Sequence, residues 1–527
     1  MERRAKTING FLRAAGRKIV NDRGEVILSG WGLGNWMVPE GYMWLADGAE
    51  RFDRPRRIER VVEELCGKAY GEMFWRRFRE EYICREDILY MAKLGYNSVR
   101  IPLNWRLFME EDEGIRWKQE GFDLLRRCID WCEEADIYAF IDLHAAPGGQ
   151  TGANIDDSID DVPRLFTDQD PREKALALWE RLAEEYADRE AVGGYDLLNE
   201  PVAPGEYDCL IPEIYRFYED AISRIRKKDK KHMISIEGAH WATDFDCLTR
   251  KLDDNMVLHF HRYAEKPEKK CLELFIEKAE QLDVPLWMGE TGENRNEWYA
   301  ALYPLAESLG IGYNLWPWKK MECTNSPCSV KAPEDYEKIL DYVRGGAHPG
   351  YEAARKIFDE YLEHIRLENC DLHPEVTNHI QRRKSFSLLA IDFEEPAEKE
   401  YTYSTENPEV EYRKGCGRYL IEQRKEGEKE FPFDCQWERY ALLLREGEQV
   451  RYTVNGEKDM ILTIDCETEK GARIEVSDAE SSYRFSVKST DKKIEGNIKL
   501  SDSGHTTVSI RAVSGDICMK RLEFAEV

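Results

Sequence analysis

Short apolar runs alternate with longer amphipathic stretches over the first two thirds of the chain. The runs are VILSGWGLG (26–34), NSVRIPL (97–103), YAFIDLH (138–144), GYDLLNE (194–200), MISIEG (233–238), MVLHFHRY (256–263), PLWMGE (285–290) and GYNLWPW (312–318). They are nearly continuously apolar, which is the pattern of parallel strands covered on both faces. Between them, apolar residues recur three and four apart, as in FDLLRRCIDWCEEA (122–135), EKALALWERLAEEYA (173–187), PEIYRFYEDAISRIRK (212–227) and EKKCLELFIEKAEQL (268–282). That spacing predicts helices. Eight strands separated by helical segments predict an α/β fold, a (β/α)8 barrel. An open doubly wound sheet gives a similar alternation, but its dinucleotide fingerprint is missing. GWGLGNW (30–36) lacks the third glycine, and GGQTG (148–152) lacks the Lys-Ser/Thr of a phosphate loop.

The pattern changes near residue 380. Beyond it come short alternating runs, among them RYALLL (439–444), QVRYTVN (449–455), MILTIDC (460–466), ARIEVSD (472–478) and TTVSIRAV (506–513), separated by Gly, Asp, Asn and Lys clusters. Period-two alternation with frequent turns predicts an all-β sandwich of jelly-roll type. The expected division is a barrel over 1–380 and a sandwich over 385–527, with 366–385 as connector. At the front, GRKIVNDRGEVILSG (16–30) reads as a hairpin that closes the bottom of the barrel.

Composition narrows the function. The 527 residues carry 103 Asp+Glu against 76 Lys+Arg, a formal net charge of −27. Nucleic acid and anionic membranes need clustered positive charge, so neither is expected as a partner. No run reaches the roughly 18–20 apolar residues of a membrane span. No apolar leader follows the charged start MERRAKTING, so a cytoplasmic location is expected, or a secreted one for a form that has lost its leader. The fourteen cysteines form no paired CxxC zinc signature and are expected as free thiols. A Cys323–Cys328 disulfide is the alternative in an exported form.

The strand ends carry the chemistry. In a (β/α)8 barrel the active residues sit at the C-terminal ends of the strands. Here those ends hold Arg100, then Asp142 and His144, then Asn199 and Glu200, then His261 and Tyr263, then Glu290, then Trp316 and Trp318. A carboxylate closing an apolar strand leaves a charge in the barrel mouth that needs a reason to be there. Glu200 and Glu290, on strands four and seven, face each other across that mouth. Two such carboxylates suit glycosidic bond cleavage, one protonated as general acid and one ionised as nucleophile. His259 and His261 share a strand face, but no third residue of matching spacing completes a metal site, and neither metal nor cofactor is expected. Trp318 reads equally as core. Glu293, His240, Trp241 and Asn154 fall near the mouth by order, and Asp142 reads as structural.

These residues together resemble glycoside hydrolase family 5, over roughly residues 10–365. LLNEP (197–201) is similar to the family's Asn-Glu-Pro signature, which implies Glu200 as acid/base and Asn199 as a ligand of the sugar 2-hydroxyl. WMGETG (287–292) resembles the nucleophile strand and implies Glu290 as nucleophile, with Arg100 of GYNSVRIPL (95–103) hydrogen-bonded to it. HFHRY (259–263) implies His261 and Tyr263 as binding residues, and NLWPWKK (314–320) implies Trp316 as the floor under the reacting sugar. A narrower resemblance, to the exo-β-1,3-glucanase branch, rests on GWGLGNWMVPEGY (30–42) and DLHAAPGGQTG (142–152). It implies Glu40 and His144 at the terminal sugar. Ala153-Asn154-Ile155 departs from that branch's aromatic-Asp-Asn, as does the segment after Trp318. The C-terminal runs resemble carbohydrate-binding modules but show no aromatic platform. The expected activity is a retaining, exo-acting β-glycosidase for β-glucosides or β-glucan oligosaccharides. Transglycosylation, non-catalytic sugar binding and another β-linked sugar are the alternatives.

Overall fold

The computed structural model describes residues 6–394, 410–423, 429–456, 458–478, 480–501 and 504–527. The eight apolar runs form β1 (Ser29–Gly32), β2 (Ser98–Asn104), β3 (Tyr138–Ala145), β4 (Val192–Asp196), β5 (Met233–Glu237), β6 (Met256–Arg262), β7 (Leu286–Gly292) and β8 (Gly312–Trp316). All neighbours are parallel, and β8 pairs with β1 to close the barrel. The strands are buried almost throughout, because helices cover the outside and side chains fill the inside. Three of the amphipathic stretches become helices Glu120–Ala135, Gln169–Tyr186 and Ile211–Lys228. The fourth is shorter than its pattern: a 3-10 turn over Lys269–Cys271 precedes helix Glu273–Leu282.

The front hairpin becomes three short strands, Arg13–Ala15, Lys18–Asn21 and Gly24–Glu25. It lies at the N-terminal strand ends. The Ile8 amide donates to Asp136 Oδ1 at 2.9 Å and the Ala14 amide to Asn255 Oδ1 at 2.8 Å, just before β3 and β6.

Contacts divide the chain into two compact units. The first, residues 1–262, 275–292 and 310–372, holds the barrel; the second comprises 263–274, 293–309 and 373–527. The line drawn near 380–385 from the sequence thus falls at 373, and two excursions from the barrel strands join the second unit. The stretch read as a connector also contains a helix, Pro374–Ile380, which packs with helix Asn296–Ser308 and strand Ser385–Leu389.

The second unit is antiparallel. Tyr419–Glu422, Tyr440–Leu444, Ile517–Glu526, Met460–Glu467 and Lys493–Ile498 lie side by side in that order, with Ser385–Leu389 also on Ile517–Glu526. A second sheet runs Gln449–Asn455, His505–Ser514, Ala472–Ser477, Ser482–Val487. Alternate residues such as Leu462, Ile464, Ile474, Val476 and Ile510 are buried, as period-two patterning requires. Trp437 is buried too, its indole N–H donating to Asp392 Oδ2 at 3.0 Å. All fourteen cysteines are free thiols, Cys323 and Cys328 included.

Candidate active site

One buried guanidinium organises the barrel mouth. Arg100, inside β2 and fully buried, donates Nε to Asp196 (2.8 Å), Nη1 to Glu290 (2.6 Å), and Nη2 to Asn199 Oδ1 (2.8 Å) and Glu237 (2.9 Å); Asp142 is 3.1 Å from Nη2. Burial opposes the charge on Arg100, but Asp142, Asp196, Glu237 and Glu290 outweigh it and hold the guanidinium well above its ordinary value. β2, β3, β4, β5 and β7 thus meet on a single cation.

Asn199 and Glu200 lie just past β4. Glu200 has a left-handed backbone (φ 46°), uncommon without glycine. Two groups support it. The Glu200 amide donates to Glu237 Oε2 at 2.7 Å. Gln150, fully buried in the loop after β3, donates to the carbonyls of His144 (2.7 Å) and Asn199 (2.9 Å). The Gln150 loop is itself pinned by Asp156, which accepts the amides of Gln150 and Thr151.

His261 on β6 joins the two sides. Its Nδ1 lies 2.7 Å from Glu200 Oε1 and 3.8 Å from Glu290 Oε1. Its Nε2 lies 3.2 Å from His259 Nε2 and 3.4 Å from Glu237 Oε1. Burial acts against a charge on His261, but Glu237, Glu290 and Glu200 outweigh it and push its pKa well up. One carboxylate oxygen of Glu200 and one of Glu290 lie within 4.8 Å of one another. Glycine makes room for this packing, since a Cβ on Gly289 would meet His259 Nε2 at 2.2 Å.

His144 differs in state. Burial, and next the Arg100 charge, lower it to about 4, so it is neutral at neutral pH. Its Nδ1 is 2.8 Å from Asp142 Oδ2, and its ring stacks on Trp316 (centroids 5.1 Å, interplanar 10°). Burial raises the Asp142 carboxyl well above the carboxylate range, against the pull of Arg100. Trp316 is only 3% exposed and donates to the Tyr42 hydroxyl at 3.0 Å. Gly32 and Gly34 lie so close to its indole that a Cβ would come within 2.4 and 2.8 Å. Glu40, buried at the end of the loop after β1, is two residues from Tyr42. Trp318 is core: buried against Trp31 and Tyr90, with its N–H on Asp87.

Arg100, Asn199, Glu200, His261 and Glu290 are therefore brought together, with His144 and Trp316 stacked beside them. Tyr263 belongs to the second unit, where its ring lies on Phe433 (centroids 4.6 Å). Glu237, Asp196 and Gln150 were not singled out by the sequence, His259 was weighed only as a metal ligand, and Asp142 was read as structural. The signal for Glu237 was present, because MISIEG, like PLWMGE, is an apolar run that ends in a carboxylate.

Glu237, His259 and His261, or Glu200, His261 and Glu290, have the composition of a metal triad. The ring nitrogens are already spanned by contacts to Asp196 (3.1 Å), Glu200 and each other, and Arg100 carries the local positive charge. The chemistry of the set is that of a hydrogen-bonded network.

Residues 69–322 match the model of the cellulase family, glycosyl hydrolase family 5. A β-xylosidase of Phanerodontia chrysosporium is 30% identical over 302 residues, 54% of this chain and 61% of that protein. The chain thus spans about three fifths of that relative's length. A glucan 1,3-β-glucosidase of Candida oleophila is 28% identical over 313 residues, 54% of this chain and 70% of that one. Among solved structures, an endogalactoceramidase is 16% identical over 97% of this chain and 99% of its own, with a TM-score of 0.47. The closed eight-stranded barrel and the family model coincide: residues 69–322, which hold β2 to β8, match glycosyl hydrolase family 5.

Proposed function

We propose that the protein is a retaining, exo-acting β-glycosidase for β-glucosides or β-glucan oligosaccharides, with Glu290 as nucleophile and Glu200 as acid/base. The observation that carries this reading is the approach of one oxygen of each carboxylate to within 4.8 Å of the other. Retaining glycosidases hold theirs about 5–5.5 Å apart, and inverting enzymes leave a wider gap for water.

Each step then has a group in place. Arg100 Nη1, at 2.6 Å, keeps Glu290 ionised and aimed. Glu290 attacks the anomeric carbon while Glu200 protonates the departing oxygen. Glu200 then takes a proton from water, whose oxygen displaces Glu290 from the sugar. Asn199, held by Arg100, presents its amide to the sugar hydroxyls. Exo action is supported by the loop after β1, where the Tyr42 hydroxyl accepts the Trp316 indole N–H at 3.0 Å, two residues past the buried Glu40.

For the sugar there is a second reading, a β-xyloside, favoured by the β-xylosidase relative. Aryl β-glucosides, aryl β-xylosides and β-1,3-, β-1,4- and β-1,6-oligosaccharides, followed by mass detection and by NMR of the first-formed anomer, separate these. Retention with release of single sugars is expected, and Glu290→Gln should lose at least about 10³-fold in kcat. Inversion, or full turnover by Glu290→Gln, overturns the mechanism.

A further inference from the structure

Glu237 meets four groups at the proposed acid/base: the Glu200 amide, Arg100, His259 and His261. Its Oε2 accepts the backbone amide of Glu200 at 2.7 Å. Its Oε1 accepts from Arg100 Nη2 at 2.9 Å and lies 3.3 Å from His259 Nδ1 and 3.4 Å from His261 Nε2. It is fully buried, at the last position of β5. A buried carboxylate costs stability unless it is paired, and one paired with four groups at a reacting centre has a role beyond the fold. No step assigned above to Glu200 and Glu290 uses it.

The Glu200 turn shows what it does for geometry. A residue held at positive φ without glycine costs about 1–3 kcal/mol and persists only where the surroundings over-determine it. Here Glu237 Oε2, in a carboxyl that burial raises against the pull of His261 and His259, supplies an acceptor for the Glu200 amide, and the Gln150 carbonyl accepts the amide of Val202, itself at φ 53°.

The histidine shows what it does for the proton. An acid catalyst must have a proton ready, yet Glu200 stands near the Glu290 carboxylate and next to a histidine. One proton shared by Glu200 and His261 is either on the carboxyl or on the imidazole, with the same total count. The groups that face His261 decide between the two. They are Arg100 from β2, Asp142 and His144 from β3, Glu200 after β4, Glu237 from β5, His259 on its own strand and Glu290 from β7. Glu237 meets His261 on Nε2, and Glu200 meets it on Nδ1.

We propose that Glu237 is a positioning residue for the acid/base, holding the left-handed Glu200 turn and keeping on His261 the proton that Glu200 delivers. The inference rests on the assignment of Glu200 and Glu290 above. In the first half-reaction the proton on His261 Nδ1 passes to Glu200 Oε1 and on to the glycosidic oxygen, as the C1–O bond breaks and the C1–Glu290 bond forms. In the second, water gives its proton to Glu200 and thence to His261, as its oxygen bonds C1 and the C1–Glu290 bond breaks. Protons balance over the cycle, with water as the only co-reactant.

The test is Glu237→Gln and Glu237→Asp in the full chain, assayed against pH with two aryl β-glycosides. One carries an activated dinitrophenyl leaving group and the other an unactivated phenyl group. Activity needs the shared proton, and the negative charge of Glu237 favours its retention. Glu237→Gln should therefore move the basic limb of kcat/KM to lower pH by about one unit. It should also lower kcat/KM by about 10–100-fold for the phenyl glycoside and far less for the dinitrophenyl one, which needs little proton assistance. Glu237→Asp keeps the charge and should leave the basic limb near its original pH even if the rate falls. An unshifted limb in Glu237→Gln, or equal losses on both substrates, overturns the proposal. Glu200→Gln and Glu290→Gln run alongside separate the failures. If those two keep full turnover, the assignment of the carboxylates is wrong; if they lose it and Glu237→Gln keeps its pH profile, only the role of Glu237 is wrong.

Discussion

At the scale of single residues, the site is a set of charges whose states are fixed by neighbours. His144 is the clearest case. Burial and the nearby Arg100 charge bring it from 6.5 to about 4, so it should stay neutral across the working range. An imidazole NMR titration should place its midpoint near 4; a midpoint near 6.5 would contradict the buried neutral state. The stability consequence has a definite sign. Between about 6.5 and about 4 the unfolded chain takes up a proton that the folded one refuses, so this group makes the barrel less stable as pH falls through that window. Replacing His144 with Gln should flatten that part of the pH–stability curve. At this scale Arg100, Glu200 and Glu290 were legible, because a charged residue at the end of an apolar strand has no core explanation, and Asn199 was legible through the LLNEP resemblance. Asp196 and Glu237 carried the same kind of signal. They were passed over because nothing local distinguishes a carboxylate that meets Arg100 from one that meets solvent.

At the scale of elements, β6 and β7 are locked together by a missing side chain. The Gly289 position admits His259 Nε2 to where a Cβ would stand, 2.2 Å away. Gly289→Ala should displace the His259 ring, lengthen its contact with His261, and cost about 1–3 kcal/mol of stability as an overpacked core position. Thermal unfolding together with kcat checks this. A variant with unchanged activity and unfolding temperature would show that His259 can move freely. The same reasoning explains GWGLGNW, where the sequence offered an incomplete dinucleotide fingerprint and the fold uses Gly32 and Gly34 to seat the Trp316 indole. The strands themselves were legible from their apolar runs, and the helices from their three-four spacing. The shortening of the fourth helix was not, because residues 263–274 pack with the second unit, and periodicity does not say which unit a helix face will meet.

At the scale of the whole molecule, the net charge of −27 sets what the protein can approach. For a neutral glycoside there is no long-range attraction to screen. Hence kcat/KM should change by less than about twofold over a roughly tenfold rise in salt, whereas a uronic-acid glycoside should gain as salt screens the repulsion. A steep salt dependence on a neutral sugar would contradict this. Among the described residues, no helix is long and apolar enough to cross a membrane.

The sequence by itself determined the barrel, the antiparallel second unit and several of the polar residues that cluster at the barrel mouth, because burial on both faces, burial on one face and charge at a strand end each leave a short-range pattern. Only the tertiary structure decided which charges share one guanidinium, that Glu200 sits on a left-handed turn against Glu237, and that Tyr263 belongs with Phe433. Those outcomes depend on barrel closure, which brings β2 and β7 to one point across 190 residues of chain, and no local pattern encodes a meeting at that range.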